Sequence, residues 1–272
     1  MSKIDISLFA SAVRIKDWLT FYDSLKPNTI NWEVVFCGNK KPDFELPENF
    51  KFIYANVKPA QCYEIAAREC KGELLGWTCD DATYSMPGIE EKNLDNAYNF
   101  YKKLGQPKII VAMRPIEDGR DIWHHHHFFG KWRNTPFMAP MGLINREFFK
   151  ELGGYDRNFI SAQAENDIVM RAIEQGGRAE ICMNGKVYIH HQKCHIGSEH
   201  KSMVRQHYNA DRQVLENAWV VGGYGAFGPG GAKMRPNIQI SNKRLKPVES
   251  FVDESITETT QGPKGLGEIH WN

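Results

Sequence analysis

The sequence predicts an α/β protein with a mostly parallel central sheet, helices on both faces of the sheet, and an extended C-terminal arm. Two observations lead to this fold class. Segments with strand-like and helix-like patterning alternate through residues 1–113. From about residue 220 the chain begins GGYGAFGPGG and has few apolar clusters, which indicates an extended tail and not a second folded domain.

The first 113 residues contain five predicted strands and three predicted helices. The strands are short apolar runs such as WEVVFC, and the helices repeat apolar residues at helical spacing. Pro59 suits the first turn of a helix, and the Gly105-Gln106-Pro107 segment ends another. The predicted strands are 4–10, 32–37, 51–55, 73–78 and 108–113. The predicted helices are 15–26, 59–70 and 88–104.

Residues 114–137 interrupt this alternation with a polar, aromatic and charged stretch. It is long for a connection within a compact domain, and long loops are often functional. Its run His124–His127 lies beside Trp123 and two phenylalanines and is expected near an acceptor site or in solvent. The elements predicted after it are strand 138–145, helices 146–152 and 165–175, strands 178–183 and 186–190, and helix 199–219.

Composition is that of an ordinary water-soluble globular protein, with 42% hydrophobic and 25% charged residues. No apolar run approaches 18 residues and the N-terminus has no signal-peptide core, so a cytoplasmic protein without a membrane span is expected. The formal net charge of +1 disfavours strong nucleic-acid binding, although the tail is locally basic. The six cysteines form no CxxC pair and are expected to be free thiols.

Two adjacent carboxylates, Asp80 and Asp81, follow the predicted strand in the segment ELLGWTCDDATYSMPG. Like charges repel, and nothing in a sheet requires them at this position. Ligands bind at the carboxyl ends of strands in an open parallel sheet, where two carboxylates can hold a divalent cation that neutralises nucleotide phosphates. The alternative is a solvated turn, because aspartate favours turns and caps.

Two further acids, Glu165 and Asp167, open a predicted helix in GGYDRNFISAQAENDIVMRA. Acids in a first turn complement the helix dipole, which is a purely structural explanation. The functional alternative makes one of them a general base for an acceptor hydroxyl.

Four histidines fall within eleven residues in KVYIHHQKCHIGSEH, after a predicted strand. Neutral imidazole is a good metal ligand, so His190 or His191 is a candidate to complete a site with the aspartates. The alternative is a set of surface histidines at the end of a strand. The segment GYGAFG, by contrast, matches a dinucleotide-binding pattern only in its letters, since it opens no strand–turn–helix unit.

Three segments in this order, AARECKGELLGWTCDDATYSMPG, LGGYDRNFISAQAENDIVMR and VYIHH, resemble the family 2-like glycosyltransferases of GT-A fold. The resemblance covers about residues 4–219, and the helix HYNADRQVLENAW also fits it. It implies a Rossmann-like fold with a nucleotide-sugar half at 1–113, an acceptor and catalytic half at 114–219, and a tail or lid at 220–272. It also implies Mn²⁺ or Mg²⁺, a nucleotide-sugar donor such as a UDP-sugar, and a glycan or other hydroxyl-bearing acceptor.

On the donor side, the resemblance implies that Ala10 and Asn39 line the nucleotide pocket and that Arg68 contacts the nucleotide or its phosphates. Asp81 is expected to bind the metal, and Asp80 to touch the metal or the sugar. The chain departs from the family pattern here, because it reads CDDA where the family has DxD.

On the catalytic side, the resemblance implies that Glu165 is the base and that Asp167 supports it. The family's common inverting chemistry is a direct displacement at the anomeric carbon. The chain reads AEND where the family has EDxD, so the base could also be Asp167. Two other functions stay open: a nucleotidyltransferase of similar fold, which normally has a glycine-rich loop after its first strand, and a non-catalytic sugar- or partner-binding module.

Overall fold

The computed structural model describes residues 3–122, 139–156, 158–190 and 207–215. The strands in this part of the chain are β1 (Ile6–Ser11), β2 (Trp32–Gly38), β3 (Phe50–Tyr54), β4 (Leu74–Trp77), β5 (Ala82–Thr83), β6 (Ile109–Glu117), β7 (Arg120–Asp121), β8 (Gly142–Asn145) and β9 (Arg178–Ile189). The α-helices are α1 (Trp18–Leu25), α2 (Pro59–Glu69), α3 (Asn93–Leu104), α4 (Arg146–Glu151) and α5 (Ala164–Glu174), and residues 207–215 are also helical.

The described strands form one sheet in the order β3-β2-β1-β4-β8-β6-β9-β5, with β7 paired to β6. Strands β1 to β4 are mutually parallel where they pair, whereas β8 runs antiparallel to both of its neighbours, β4 and β6. The order changes direction at β1, which has β2 on one side and β4 on the other. Ligands in open α/β sheets bind at such a switch point, at the carboxyl ends of the strands.

Two apolar clusters pack against the two faces of the sheet. Alternation along β1 sends Phe9 into one cluster and Leu8 and Ala10 into the other. Helices α2, α4 and α5 cover the face of Phe9, while α1 and α3 cover the opposite face. The predicted α/β architecture, a mostly parallel sheet with helices on both faces, is therefore confirmed.

Two predicted boundaries are wrong for reasons of local turn chemistry. The helix predicted over 88–104 begins at Asn93, because Gly88 has a positive φ of 77° in a turn after Pro87. Strand β6 continues into the predicted loop 114–137 and turns back at Asp118 and Gly119, which both have positive φ. An Asp-Gly pair of this kind favours a two-residue hairpin, here between β6 and β7.

The strands predicted at 178–183 and 186–190 are one strand, β9. Its register against β6 jumps from Met113↔Cys182 to Arg114↔Lys186, which is a bulge. The predicted strand 138–145 is shorter, since only Gly142–Asn145 pairs with its neighbours.

Several sequence-based expectations lie outside the described residues: His191, the run His124–His127, the tail from 220, and most of the predicted helix 199–219. In the described part, no helix is both long enough and apolar enough to cross a membrane. The five cysteines described there are free thiols, as expected.

Candidate active site at the carboxyl edge of the sheet

The first acid of the pair, Asp80, is a buried link between the ends of β4 and β1. Its side chain is fully buried, and Oδ2 accepts hydrogen bonds from the backbone N–H groups of Val13 and Arg14 at 2.7 and 2.6 Å. The Trp18 indole donates to the same oxygen at 3.3 Å. Asp80 thus holds the loop after β1, in place of the contact with a metal or sugar that was predicted for it.

Arg14 explains how two adjacent carboxylates are tolerated. Its guanidinium donates to Oδ1 of Asp80, and its Nη2 lies 3.4 Å from Oδ2 of Asp81. The three side chains are at most 10% exposed, so their charges interact with little screening by water. Local patterning does not place Arg14 at this site, because its position there depends on β1 and β4 being neighbours.

The second acid, Asp81, is brought next to His190 by the sheet. Strands β5 and β9 are antiparallel with Ala82 opposite Ile189, so the same register places Asp81 opposite His190. Side chains of directly opposite residues lie on the same face, with Cβ atoms about 4.5–5.5 Å apart. His190 Nε2 is also 3.0 Å from the Thr83 hydroxyl. The predicted neighbourhood of Asp81 and His190 is therefore present in the fold.

Both residues line a cavity of about 560 Å³ between α1 and the segment after β4. The described lining includes four carboxylates and no lysine or arginine: Asp17, Asp23, Asp81 and Glu90. Burial raises the pKa of Asp17; the positive charges of Lys16 and Arg14 lower it, and the negative charges of Asp80 and Asp81 raise it further. Because the described lining is acidic, a phosphate group in this cavity needs a cation beside it.

At the ends of β2 and β3, Asn39 presents a buried acceptor. Its Nδ2 lies 3.4 Å from Oδ1 of Asn56, while its own Oδ1 is buried and accepts no hydrogen bond within the described residues. Buried polar atoms in folded proteins normally have a partner, so an unmatched one marks a place for a ligand or water. Ala10, predicted beside it, is instead fully buried in the apolar cluster under α1.

Gly38 lets the loop after β1 approach this position closely. A Cβ on Gly38 would lie 2.0 Å from the carbonyl oxygen of Ala12, while the Gly38 carbonyl accepts from Ala55 N at 2.9 Å. We expect Gly38→Ala to lower the free energy of unfolding by about 2 kcal/mol or more, because backbone atoms must separate. Urea unfolding measures this, and Gly185→Ala is the comparison, since Gly185 has no positive φ and a Cβ there meets only side-chain atoms of Cys182 and Met113, at 3.1 Å or more.

Arg68 lies away from this edge, contrary to expectation. Helix α2 returns antiparallel to the strands, so its last turn reaches the amino edge of the sheet. There the Arg68 Nε donates to Oε1 of Glu64 at 2.8 Å, and the side chain lines a separate cavity of about 410 Å³ with Arg146 and Lys150. The two cavities share no described lining residue.

The two acids of the AEND segment have different environments. Asp167 is fully buried and accepts from Arg171 Nε at 2.9 Å, so it stabilises α5 from within the core. Glu165 is partly exposed in the first turn of the same helix. Burial raises its pKa from 4.5 to about 7, and the charge of Asp211 adds to the rise. A carboxylate whose pKa lies near neutrality is well suited to act as a general base, which favours Glu165 over Asp167.

Tyr63 connects Glu165 with the acid pair. Its hydroxyl donates to the carbonyl oxygen of Thr78, two residues before Asp80, at 2.7 Å. Burial raises the pKa of Tyr63 well above its usual value, and the charges of Cys79, Glu165 and Asp80 raise it further. Tyr63 is therefore within electrostatic reach of both Glu165 and Asp80. Because α5 leads into the start of β9, its first turn with Glu165 lies at the edge of the sheet where β9 ends, next to His190.

No protein-family model matches the chain, and no curated protein matches it. Solved structures match its fold. One is the mannosyltransferase PcManGT from Pyrobaculum calidifontis, in complex with GDP-Man and Mn²⁺, with a TM-score of 0.51 and 16% identity over 68% of this chain. Another is S. aureus TarS 1-349 in complex with UDP, with a TM-score of 0.54 and 13% identity over 79% of this chain.

The chain has the GT-A fold. This confirms the fold expected from the resemblance in the sequence. The chain spans 56% of the length of the mannosyltransferase structure and 65% of the TarS structure. At identities of 16% and 13%, the likeness establishes the fold alone, so activity is inferred from the site residues.

Proposed function

We propose that the chain is a metal-dependent glycosyltransferase that moves a sugar from a UDP-sugar to the hydroxyl of a glycan or another acceptor, with inversion. The observation that supports this most directly is the position of Glu165. A carboxylate with a pKa of about 7 lies at the same sheet edge as the Asp81–His190 pair. The GT-A fold of the chain also supports this proposal.

The pair Asp81 and His190 fits a divalent cation such as Mn²⁺ or Mg²⁺, since it offers a carboxylate and an imidazole from neighbouring strands. In the described ranges no group of three or more His, Cys, Asp or Glu side chains could hold a metal, so two protein ligands would leave positions for donor oxygens and water. A cation there would offset the charge of a leaving diphosphate. His191 remains part of this proposal, although it lies beyond the described residues.

In the proposed reaction, Glu165 accepts the proton of the acceptor hydroxyl. The acceptor oxygen forms a bond to the anomeric carbon while the bond from that carbon to the phosphate oxygen breaks. The electron pair of the broken bond leaves with the nucleoside diphosphate. Because attack is opposite the leaving group, one displacement inverts the anomeric configuration.

The nucleotide end of the proposed site is the unmatched Oδ1 of Asn39. This oxygen can accept a hydrogen bond from the ring N–H of uracil or guanine, whereas cytosine has no such N–H. We therefore expect UDP and GDP to bind better than CDP, and Asn39→Ala to reduce this preference.

The nucleotidyltransferase alternative is disfavoured by the loop after β1. Such an enzyme uses free backbone N–H groups in this loop to hold the phosphates. Here the N–H groups of Val13 and Arg14 donate to Asp80, so they are already occupied. If the chain is instead a binding module, removal of the Glu165 carboxylate should not change the rate of UDP release.

Thermal unfolding with UDP, GDP or CDP, each with and without Mn²⁺, tests the proposal. A ligand at 100 times its Kd adds about 2.7 kcal/mol to the free energy of unfolding. For a chain of this size we expect the midpoint to rise by roughly 5–10 °C with UDP and Mn²⁺. UDP alone should give much less, because the cavity beside Asp81 is negative.

Asp81→Asn should abolish the rise that depends on Mn²⁺, whereas Asp43→Asn, the same change on an exposed loop, should leave it intact. A UDP shift that is independent of Mn²⁺ and unchanged by Asp81→Asn would contradict the metal site. The absence of any shift with all three nucleotides would contradict the donor site as a whole.

A further inference from the structure

The segment that leads into Glu165 is held by a single buried carboxylate from another part of the chain. Asp211, in the helical stretch 207–215, is fully buried. Its Oδ1 accepts from Ile160 N at 2.7 Å, and its Oδ2 accepts from Ser161 N and Ala162 N at 2.8 and 2.9 Å. The Ser161 hydroxyl adds a fourth hydrogen bond at 3.1 Å. Hydrogen bonds to an ionised carboxylate are roughly twice as strong as neutral ones.

This segment needs an external support because it is strained next to Glu165. Gln163 has a φ of 70°, a left-handed conformation that is unfavourable for a residue with a side chain. Its carbonyl nevertheless accepts from Asp167 N at 3.0 Å, and its side chain accepts from Asn166 at 2.7 Å. Strained backbone persists where the surrounding contacts over-determine it. The hydrogen bonds from residues 160–162, directly before Gln163, to the carboxylate of Asp211 provide such contacts.

We propose that Asp211 is a positioning residue for the reaction. Its hydrogen bonds to the backbone of residues 160–162 set the direction in which Glu165 points from the first turn of α5. This role rests on the proposed function. Asp211 itself need touch neither donor nor acceptor. Displacement of a reacting group by about 1 Å can cost on the order of 100-fold in rate, so the orientation of the segment matters.

If Asp211 has this role, its charge should also affect the pKa of Glu165 and therefore the pH dependence of the rate. Within the described residues, the charge of Asp211 raises the pKa of Glu165, and hydrogen bonds from the backbone of Glu165 and Gln163 lower it. Tyr63 from α2 and Tyr155 from the segment before α5 are within electrostatic reach of Glu165. Lys58, at the start of α2, is within electrostatic reach of Asp211. Since Asp211 raises the pKa of Glu165, its neutralisation should lower that pKa and move the acid limb of the rate profile to lower pH.

The test compares Asp211→Asn with Asp95→Asn in the full chain. Asp95 is a matched control, because it is also buried and accepts from two backbone N–H groups and a hydroxyl, those of Thr29 and Ile30. It anchors the start of β2, at the opposite edge of the sheet. Turnover is followed as UDP release from UDP-glucose, UDP-galactose and UDP-N-acetylglucosamine with Mn²⁺.

We expect Asp211→Asn to reduce kcat by about 10- to 100-fold, with little change in the KM for the donor. Its acid limb should move below pH 7, whereas Asp95→Asn should lose thermal stability but keep both kcat and the pH profile. If Asp211→Asn does not fold, Ser161→Ala replaces it, and a several-fold loss of kcat at constant KM is expected. An Asp211→Asn chain, or this substitute, that matches Asp95→Asn in kcat and pH profile would show a purely structural role.

Glu165→Gln, measured in parallel, distinguishes failure of the Asp211 proposal from failure of the proposed function. If Glu165→Gln is inactive and Asp211→Asn behaves like Asp95→Asn, only the role of Asp211 is overturned. If Glu165→Gln keeps full turnover, or the wild-type chain releases UDP from none of the three donors, the proposed function fails and this role fails with it.

Discussion

Glu165→Gln is expected to reduce turnover by about 10²- to 10⁴-fold, the usual contribution of a general base. Glutamine has nearly the same shape but accepts no proton from the acceptor hydroxyl. Binding of UDP with Mn²⁺ should be unchanged, since Glu165 does not line the cavity beside Asp81. UDP release gives the turnover, and thermal shift with UDP and Mn²⁺ gives the binding.

The same substitution should make stability less dependent on pH. The pKa of Glu165 is raised from 4.5 to about 7 by burial, so folding favours its protonated form. Its contribution to stability is fully present below pH 4.5 and is lost as pH rises through about 7, by up to about 3 kcal/mol. The gain in free energy of unfolding from Glu165→Gln should therefore grow between pH 5 and pH 8, as measured by urea unfolding.

Glu174→Gln serves as the control, because it is the same chemical change at an exposed position of the same helix. It should leave turnover unchanged. Unchanged turnover in Glu165→Gln would exclude Glu165 as the base and would support a binding module.

Arg14→Met should lower the free energy of unfolding by about 3 kcal/mol, because it leaves Asp80 charged and buried without its ionic partner. The expected loss is at the lower end of the range for a broken buried pair, since two backbone N–H groups still reach Asp80. Methionine preserves most of the volume of the arginine stem, so lost packing is minor. Urea unfolding at neutral pH measures the effect.

Two further variants separate charge from packing. Arg14→Met combined with Asp80→Asn should be more stable than Arg14→Met alone, since no uncompensated charge then remains. Arg178→Met removes an exposed pair with Glu180 and should cost less than about 1 kcal/mol. An equal, small loss in Arg14→Met and Arg178→Met would mean that Arg14 does not compensate the acid pair.

The sequence predicted the neighbourhood of Asp81 and His190 because each residue lies beside a strand, Asp81 between β4 and β5 and His190 directly after β9, and the ends of strands can be located from local patterning. It predicted Glu165 as an acid in a first turn for the same reason. The preference for Glu165 over Asp167 needed the structure, because it depends on which side chain the core buries. Arg68 was misplaced because helical spacing does not show which edge of the sheet the last turn of α2 reaches.

The alternation of the longer strands and helices, the fold class and the carboxylates beside strand ends were determined by the sequence alone, since apolar periodicity and turn residues act over a few positions. The tertiary structure alone decided which distant segments meet. Arg14 reaches Asp80 across 66 residues only because β1 and β4 are neighbours, and Asp211 reaches Ile160 across 51 residues only because a later helical stretch lies against the segment before α5. Such contacts depend on the packing of whole elements, which local patterning does not encode.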